Sequence, residues 1–265
     1  MTKTRIHHLL KKKQAGDRLV MLTAYDYTFA KLIDGQEIDL ILVGDSLGNV
    51  VLGYDTTIPV TMADMVSHCR AVSRGVSHSV LVVDMPFMSY QISLEKAKEN
   101  AAILIQEGRA DAVKIEVNSD QTDVIRSIVE SGIPVMGHLG FVPQSVNQLG
   151  GYRVQGRGAS DADELVALAK GLEAAGCFSI VLEMVPMSLA KRITESLSIP
   201  TIGVGAGPDC DGQVLVSHDV FGLSDRSPTF SKRYVHLKRS MSRAVRQFKQ
   251  DVEQGTFPTE DHGFV

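Results

Sequence analysis

Four acidic residues stand at the ends of short apolar segments of the kind that form buried strands. Asp45 follows LILVG, and SVLVVD, DAVKIE and FSIVLE end in Asp84, Glu116 and Glu183. Any one of them could simply cap the helix that follows, but four at equivalent positions favour a shared site. In parallel strands the carboxyl ends meet on one face, where the four charges would repel each other without a compensating cation.

These carboxylates predict a site for a hard divalent cation. Carboxylate oxygens without thiolate ligands favour Mg²⁺. Asp45, Asp84 and Glu116 end neighbouring strands and form the predicted ligand set, whereas Glu183 comes from across the barrel and is free to act as a base. A 2-oxo acid could chelate the ion, which would stabilise the enolate formed when a base removes the proton beside the carbonyl.

Two further residues near these acids have two readings each. Lys114 could bind a substrate carboxylate or balance the neighbouring acids, with comparable weight. A lysine Schiff base is the other route to an enolate equivalent, but the acidic residues favour the metal route. His138 ends the fifth apolar segment and could hydrogen-bond either a substrate oxygen or a neighbouring carboxylate.

Eight apolar segments that alternate with helical stretches must position these residues. Near-continuous apolar runs are typical of parallel strands buried on both faces, and eight strand–helix units predict a (β/α)₈ barrel. The main rival, an open doubly wound sheet, lacks a GxGxxG motif after the first strand. The predicted strands are Leu19–Ala24, Ile38–Val43, Ser79–Asp84, Asp111–Glu116, Ile133–His138, Phe178–Glu183, Ile199–Val204 and Gln213–Ser217.

Length and composition fit one domain that spans residues 1–265. The chain is 44% hydrophobic and 22% charged, with a net charge of −4 that disfavours a dedicated nucleic-acid binder. The three widely spaced cysteines read as free thiols in a reducing compartment. With no secretory signal and no apolar run of membrane-spanning length, the expected location is the cytoplasm, away from membranes.

The C-terminal segment predicts an added amphipathic helix over Ser231–Glu253. Its apolar stripe includes Met241, Val245 and Phe248, and basic residues occupy much of the remainder. A basic helix could contact anionic partners. A packing or subunit-contact helix with a solvated basic face is the favoured reading, because the chain as a whole is acidic.

Several motifs in this order resemble the ketopantoate hydroxymethyltransferase family, from about residue 20 to the C-terminus. GDSLG, VKIE and GGYRVQGRG are the most specific of them. The matching stretches are TAYDYTFAKL (23–32), LVGDSLGNVVLGYDTTIPVT (42–61), DMPFMSY (84–90), VKIE (113–116), GHLGFVPQSVNQLGGYRVQGRG (137–158), LEMVP (182–186), IPTIGVGAG (199–207) and DGQVLVSHD (211–219).

The resemblance implies a barrel of the phosphoenolpyruvate mutase/isocitrate lyase type and a Mg²⁺-dependent enolate reaction in pantothenate biosynthesis. A hydroxymethyl group would pass from 5,10-methylenetetrahydrofolate to 3-methyl-2-oxobutanoate, giving 2-dehydropantoate. A large homo-oligomer, commonly a decamer, is also implied. Carried over by motif, Asp45, Asp84 and Glu116 are the metal-site carboxylates, Asp45, Ser46, Asp84 and Lys114 contact the keto acid, and Glu183 accepts the proton.

Two other functions compete with this one. A Mg²⁺-dependent aldolase or lyase acting on another 2-oxo acid would use the same enolate without folate. A non-catalytic scaffold that contacts nucleic acid through the basic C-terminal helix is disfavoured, because every reactive residue type is retained at its strand end.

Overall fold

Eight parallel strands close into a barrel, each pairing with its neighbours in chain order and β8 pairing with β1. The computed structural model describes residues 2–118, 121–225 and 227–265. This confirms the predicted (β/α)₈ architecture. Each predicted segment overlaps a strand, although the fifth strand ends two residues after its predicted end at His138 and the eighth begins one residue before its predicted start at Gln213. The strands are β1 Leu19–Thr23, β2 Leu40–Val43, β3 Val80–Asp84, β4 Ala112–Glu116, β5 Val135–Gly140, β6 Ser179–Glu183, β7 Thr201–Val204 and β8 Gly212–Leu215.

Helices precede, separate and follow the strands. Two of them, α3 and α4, occupy the long connection between β2 and β3, and a 3₁₀ turn at Pro143–Ser145 leads into α7. The helices are α1 Ile6–Ala15, α2 Tyr27–Asp34, α3 Leu47–Val50, α4 Met62–Ser73, α5 Leu94–Gln106, α6 Thr122–Glu130, α7 Val146–Leu149, α8 Ala159–Ala174, α9 Met187–Ser196, α10 Ser217–Phe221 and α11 Leu237–Glu253.

The barrel interior changes from apolar to polar along the strands. Side chains two residues apart on a strand share a face. The apolar core cluster occupies the inward positions Leu40, Leu42, Val80, Val82, Ala112, Met136 and Val181. Steps of two along β3 to β6 then reach Asp84, Lys114, Glu116, His138 and Glu183. The alternation that builds the core therefore also aims these polar side chains into the barrel mouth.

Helix α1 lies at the opposite end of the barrel from these polar residues. Its Leu9 is 1% exposed and belongs to the same core cluster as Leu19 and Leu40, which lie at the starts of β1 and β2. Lys13 Nζ lies 2.9 Å from Asp211 Oδ2, just before β8. The N-terminal helix thus closes the bottom of the barrel with an apolar contact and an ion pair.

Residues up to Val216 and residues from Ser217 form two compact units. The first contains the eight strands and α1 to α9, and the second contains α10, α11 and a 3₁₀ turn at Glu260–His262. Helix α11 begins at Leu237, so the predicted start at Ser231 is wrong. Residues 231–236 are not helical, and Tyr234 N–H donates to the carbonyl of Val220 instead of joining a helical turn. In the described part of the chain, no helix is both long and apolar enough to span a bilayer.

Candidate active site

Three buried carboxylates, called the acid cluster below, lie at the ends of β2, β3 and β4. Asp45, Asp84 and Glu116 are 4%, 4% and 6% exposed. The first two are adjacent, since Asp45 N–H donates to Asp84 Oδ2 at 3.0 Å. Burial, reinforced by the charge of Asp84, raises the pKa of Asp45 to about 7. Burial and the charge of Asp45 raise the pKa of Glu116 well above its ordinary value.

Lys114 is the buried cation beside the acid cluster. Its Nζ lies 2.9 Å from Asp84 Oδ1, and both side chains are 5% exposed. Burial alone would lower the pKa of Lys114, but the charges of Asp84, Glu116 and Asp45 raise it above the ordinary value. Lys114 therefore stays protonated. A Schiff-base lysine must lose its proton to attack a carbonyl, so this environment disfavours the Schiff-base route.

His138 connects the lysine to the fourth carboxylate. Its Nδ1 lies 3.2 Å from Lys114 Nζ, and its Nε2 lies 3.1 Å from Glu183 Oε2. Burial and the lysine charge lower the pKa of His138 well below its ordinary value, so the ring is neutral. Because an ammonium group has only donors, Nδ1 must be the acceptor. The ring proton is then on Nε2, the nitrogen that faces Glu183.

Glu183 lies at the end of β6, apart from the acid cluster. Its side chain is 18% exposed, so it is the carboxylate of the four with most access to a ligand in the mouth. Burial raises the pKa of Glu183 to about 7, against a smaller lowering by Lys114. A carboxylate with a pKa near neutrality is well matched to accept a proton from carbon and return it.

Close backbone contacts set the position of the strand ends. Gly140 has φ +97°, and a Cβ there would overlap the carbonyl oxygen of Glu183. At Gly44 a Cβ would lie 2.7 Å from Ser46 Oγ and 3.5 Å from Asp84 Oδ2. The first position therefore requires glycine, and the close approach at Gly44 brings the Ser46 hydroxyl beside the acid cluster.

Gln144 ties the acid cluster to the loop after β5. Its Nε2 donates to Asp45 Oδ2 and to the carbonyl of Met85, both at 2.9 Å. Its backbone N–H donates to Glu116 Oε2 at 2.9 Å, and its Oε1 accepts from Tyr90 O–H at 3.0 Å. A single residue, 4% exposed, thus joins the ends of three strands and satisfies its own polar groups.

The sequence matches one known protein family over nearly its whole length. A family model described as ketopantoate hydroxymethyltransferase matches residues 3–260. The chain belongs to this family. It is 54% identical over 263 residues to a 3-methyl-2-oxobutanoate hydroxymethyltransferase of Pelobacter propionicus, covering 99% of this chain and 97% of the relative.

Solved structures with a similar fold are much more distant in sequence. A phosphonopyruvate hydrolase, in a complex with oxalate and Mg²⁺, has a TM-score of 0.63 at 14% identity, covering 97% of this chain and 93% of that one. The barrel of 2,3-dimethylmalate lyase, a PEP mutase/isocitrate lyase superfamily member, has a TM-score of 0.62 at 17% identity, with 100% and 93% covered. The three-dimensional fold is therefore similar to the barrels of these two enzymes.

All six sequence-predicted site residues of this family member lie at the same mouth of the barrel, and their individual roles stay predictions. Sequence reasoning missed Gln144, Tyr90 and Tyr25, whose O–H lies 2.9 Å from Ser46 Oγ. Gln144 and Tyr90 lie in the segments after β5 and β3, and Tyr25 lies just after the end of β1. The alternation of side chains along a strand does not predict which residues face the site in such segments. The signal was that all three follow strand ends within the matched motifs.

We expect Gln144→Leu to lower the free energy of unfolding by about 1–3 kcal/mol, because it leaves buried acceptors without their donor. Urea unfolding at pH 7 measures this change. Asn147→Leu, an exposed position on the same loop, is the matched control and should change stability by less than about 0.5 kcal/mol. Equal stability of the Gln144 variant and the control would contradict the assigned contacts.

Proposed function

We propose that this protein transfers a hydroxymethyl group from 5,10-methylenetetrahydrofolate to 3-methyl-2-oxobutanoate, giving 2-dehydropantoate for pantothenate biosynthesis. Family membership and the names of the relatives support the substrates. The observation that carries the chemistry is the continuous line of contacts Asp84–Lys114–His138–Glu183, which puts a fixed cation and a base of raised pKa in one mouth.

Lys114, Ser46 and the acid cluster suit the keto acid. We assign Lys114 to its carboxylate, because a protonated amine in a buried site forms a strong charge-assisted hydrogen bond. Ser46 and the carboxylates Asp45 and Asp84 lie beside that amine, near the expected position of the 2-oxo group. Lys114 would then have both roles that the sequence allows, because it would bind the substrate carboxylate and also balance the charge of the neighbouring acids.

The acid cluster fits a divalent cation, and we assign Asp45, Asp84 and Glu116 to Mg²⁺. Within residues 2–118, 121–225 and 227–265, no three His, Cys, Asp or Glu side chains come together closely enough to enclose an ion by themselves. Mg²⁺ does not need such a cage, because it usually keeps several waters and takes one or two carboxylates. Burial first, and neighbouring negative charge second, raise the pKa values of Asp45 and Glu116, and a bound cation would stabilise the ionised form of both carboxylates. When bound, the ion supplies positive charge beside the keto oxygen, where negative charge develops.

Glu183 is the proposed base for the proton on C3 of the keto acid. The C3–H electron pair stays on carbon as the proton passes to Glu183. One water releases the methylene carbon from the two folate nitrogens, supplying its oxygen to that carbon and its two protons to the nitrogens. The C3 electron pair then forms the new bond to this carbon, and the oxygen takes the proton back from Glu183 to give the hydroxymethyl group. His138 Nε2 lies 3.1 Å from Glu183 Oε2 but makes no hydrogen bond of suitable geometry in the described part of the protein, so the ring restricts the carboxylate by packing against it. Because the imidazole is neutral, it contacts the Glu183 carboxylate without placing a positive charge beside it.

Turnover by the purified protein tests this proposal. We expect 2-dehydropantoate, detected by mass spectrometry, only when the keto acid, 5,10-methylenetetrahydrofolate and Mg²⁺ are all present. Removal of the metal with a chelator should abolish turnover, and added Mg²⁺ should restore it. A metal-loaded protein that forms no product in a folate-dependent way would refute the function. Cleavage of another 2-oxo acid without folate would favour the lyase alternative, which the relatives do not support.

The proposal extends to assembly and location. We propose a homo-oligomer, with a decamer as the family resemblance implies, in which α11 contacts another subunit. Its apolar residues Met241, Val245 and Phe248 are 54%, 69% and 59% exposed, which supports a covered face. We also propose a single domain over residues 1–265, since the family match spans 3–260, and a cytoplasmic location, which the three buried free cysteines support.

A further inference from the structure

A cavity of about 320 Å³ adjoins the acid cluster. Glu116, Tyr90 and Gln144 line it, and Gln144 also donates to Asp45 Oδ2 at 2.9 Å. The other walls come from the loops after β2 to β5. A ligand in this cavity would therefore lie one side chain away from the proposed keto-acid site, and the size is within the range of small-molecule pockets.

Carboxamides dominate the walls of this cavity. Each offers both hydrogen-bond donors and acceptors, and Phe87, Tyr90 and Ile58 add apolar surface. None of the described lining residues is a lysine or an arginine, so the cavity does not suit an anion. The carboxamide residues are Gln91, Asn118, Gln121, Gln144, Asn147 and Gln148.

The hydrogen bonds within the cavity wall leave one acceptor unused. Asn118 Nδ2 donates to Ser145 Oγ at 2.7 Å and to Gln148 Oε1 at 3.2 Å, which joins the loops after β4 and β5. In contrast, the buried Oε1 of Gln121 accepts no hydrogen bond in the described part of the protein. A neutral ligand with N–H donors would satisfy this acceptor.

We propose that this cavity binds the pterin ring of the one-carbon donor, an inference that rests on the proposed function. A reduced pterin is a neutral heterocycle whose edge alternates amino and N–H donors with carbonyl and ring-nitrogen acceptors, which matches the carboxamide walls. Its face packs on the aromatic surface of Phe87 and Tyr90. The keto acid does not compete for this place, because its carboxylate finds a cation at Lys114 and none in the cavity.

Asn118→Leu and Gln148→Leu, singly and together, test the proposal. Both side chains are exposed, so the variants should fold. With the keto acid and Mg²⁺ present, we expect the Kd for tetrahydrofolate, measured calorimetrically, and the KM for 5,10-methylenetetrahydrofolate to rise at least about tenfold in the double variant. Exchange of the C3 proton of the keto acid in D₂O, measured without folate, should fall by less than about threefold. Gln36→Leu, at an exposed amide two residues after the end of α2, is the matched control for both measurements.

The two measurements separate the outcomes. A loss confined to folate affinity supports the pterin site. Equal losses in folate affinity and proton exchange, or no loss in either, overturn it. A wild-type protein that exchanges the C3 proton but neither binds tetrahydrofolate nor uses the methylene donor refutes the proposed function instead.

Discussion

Replacing Glu183 with Gln is expected to slow exchange of the C3 proton of 3-methyl-2-oxobutanoate by about 10²–10⁴-fold, the usual contribution of a general base. The amide keeps the size of the side chain and its contact with His138, but it cannot take up the proton. The Kd for the keto acid should change by less than about threefold, because the proposed binding contacts are on Lys114, Ser46 and the acid cluster. Proton exchange in D₂O followed by NMR, and calorimetric titration of the keto acid, measure the two quantities.

Glu195→Gln is the matched control for this substitution. Glu195 is exposed on α9, and the change removes one negative charge without touching the mouth of the barrel. It should leave both exchange and binding as they are in the wild type. Exchange at the wild-type rate in Glu183→Gln would remove Glu183 from the role of base.

The same carboxylate should set a pH dependence. Burial raises the pKa of Glu183 to about 7, so the side chain is mostly protonated below that pH and cannot accept a proton. The wild-type exchange rate should therefore rise as the pH increases through about 7 and then level off. Glu183→Gln should lose this dependence together with the rate.

Replacing Lys114 with Met has the largest expected effect on stability. The side chain is buried between Asp84 and His138, with Glu116 nearby. Methionine fills a similar volume but leaves buried carboxylates without a countercharge, and breaking a buried ion pair costs about 3–5 kcal/mol. Urea unfolding at pH 7 should show a loss of this size in the free energy of unfolding.

Activity should fall together with stability in Lys114→Met, but for a separate reason. Loss of a charge-assisted hydrogen bond to the keto-acid carboxylate corresponds to about 10–10²-fold in kcat/KM, from about 1.5–3 kcal/mol of binding. A second substitution isolates the effect on stability. Lys114→Met combined with Asp84→Asn removes the orphaned charge and keeps an acceptor for the N–H of Asp45, so most of the stability should return. Activity should stay low in this double variant for a further reason, because Asp84 is itself assigned to the metal and the keto acid.

Unchanged unfolding free energy in Lys114→Met would show that the lysine does not balance the acids. An unchanged Kd for the keto acid in Lys114→Met, measured by calorimetric titration, would show that Lys114 does not bind the substrate. The pair of variants therefore tests both readings of this residue that the sequence left open.

Much of the fold and of the site's composition could be predicted from the sequence. Parallel strands buried on both faces require continuous apolar segments, and eight such segments between helices leave few architectures other than the barrel. Each predicted strand overlaps an observed one, with ends that differ by at most two residues. The start of α11 was misplaced by six residues, because residues 231–236 carry the same apolar stripe but bond to the turn around Val220 rather than to a helix.

The amino-acid sequence by itself determined which residues meet in the mouth. Strand geometry places every second residue on one face, so Asp84, Lys114, Glu116, His138 and Glu183 continue the inward rows that begin with the core. Once the barrel has closed, all strand ends meet at the same mouth. Which side chains lie there then depends only on their positions along each strand. It follows from the order and spacing of the residues alone.

Only the tertiary structure decided how these residues are connected. The bridge made by Gln144, the Nε2–H tautomer of His138 and the carboxamide cavity all depend on where loops from different strands come to lie. Loop conformation is set by contacts between residues far apart in the chain, such as the 2.9 Å bond from Gln144 to Asp45, and carries no periodic signal. The protonation of each carboxylate likewise depends on burial and on neighbouring charges, which exist only once the barrel has closed.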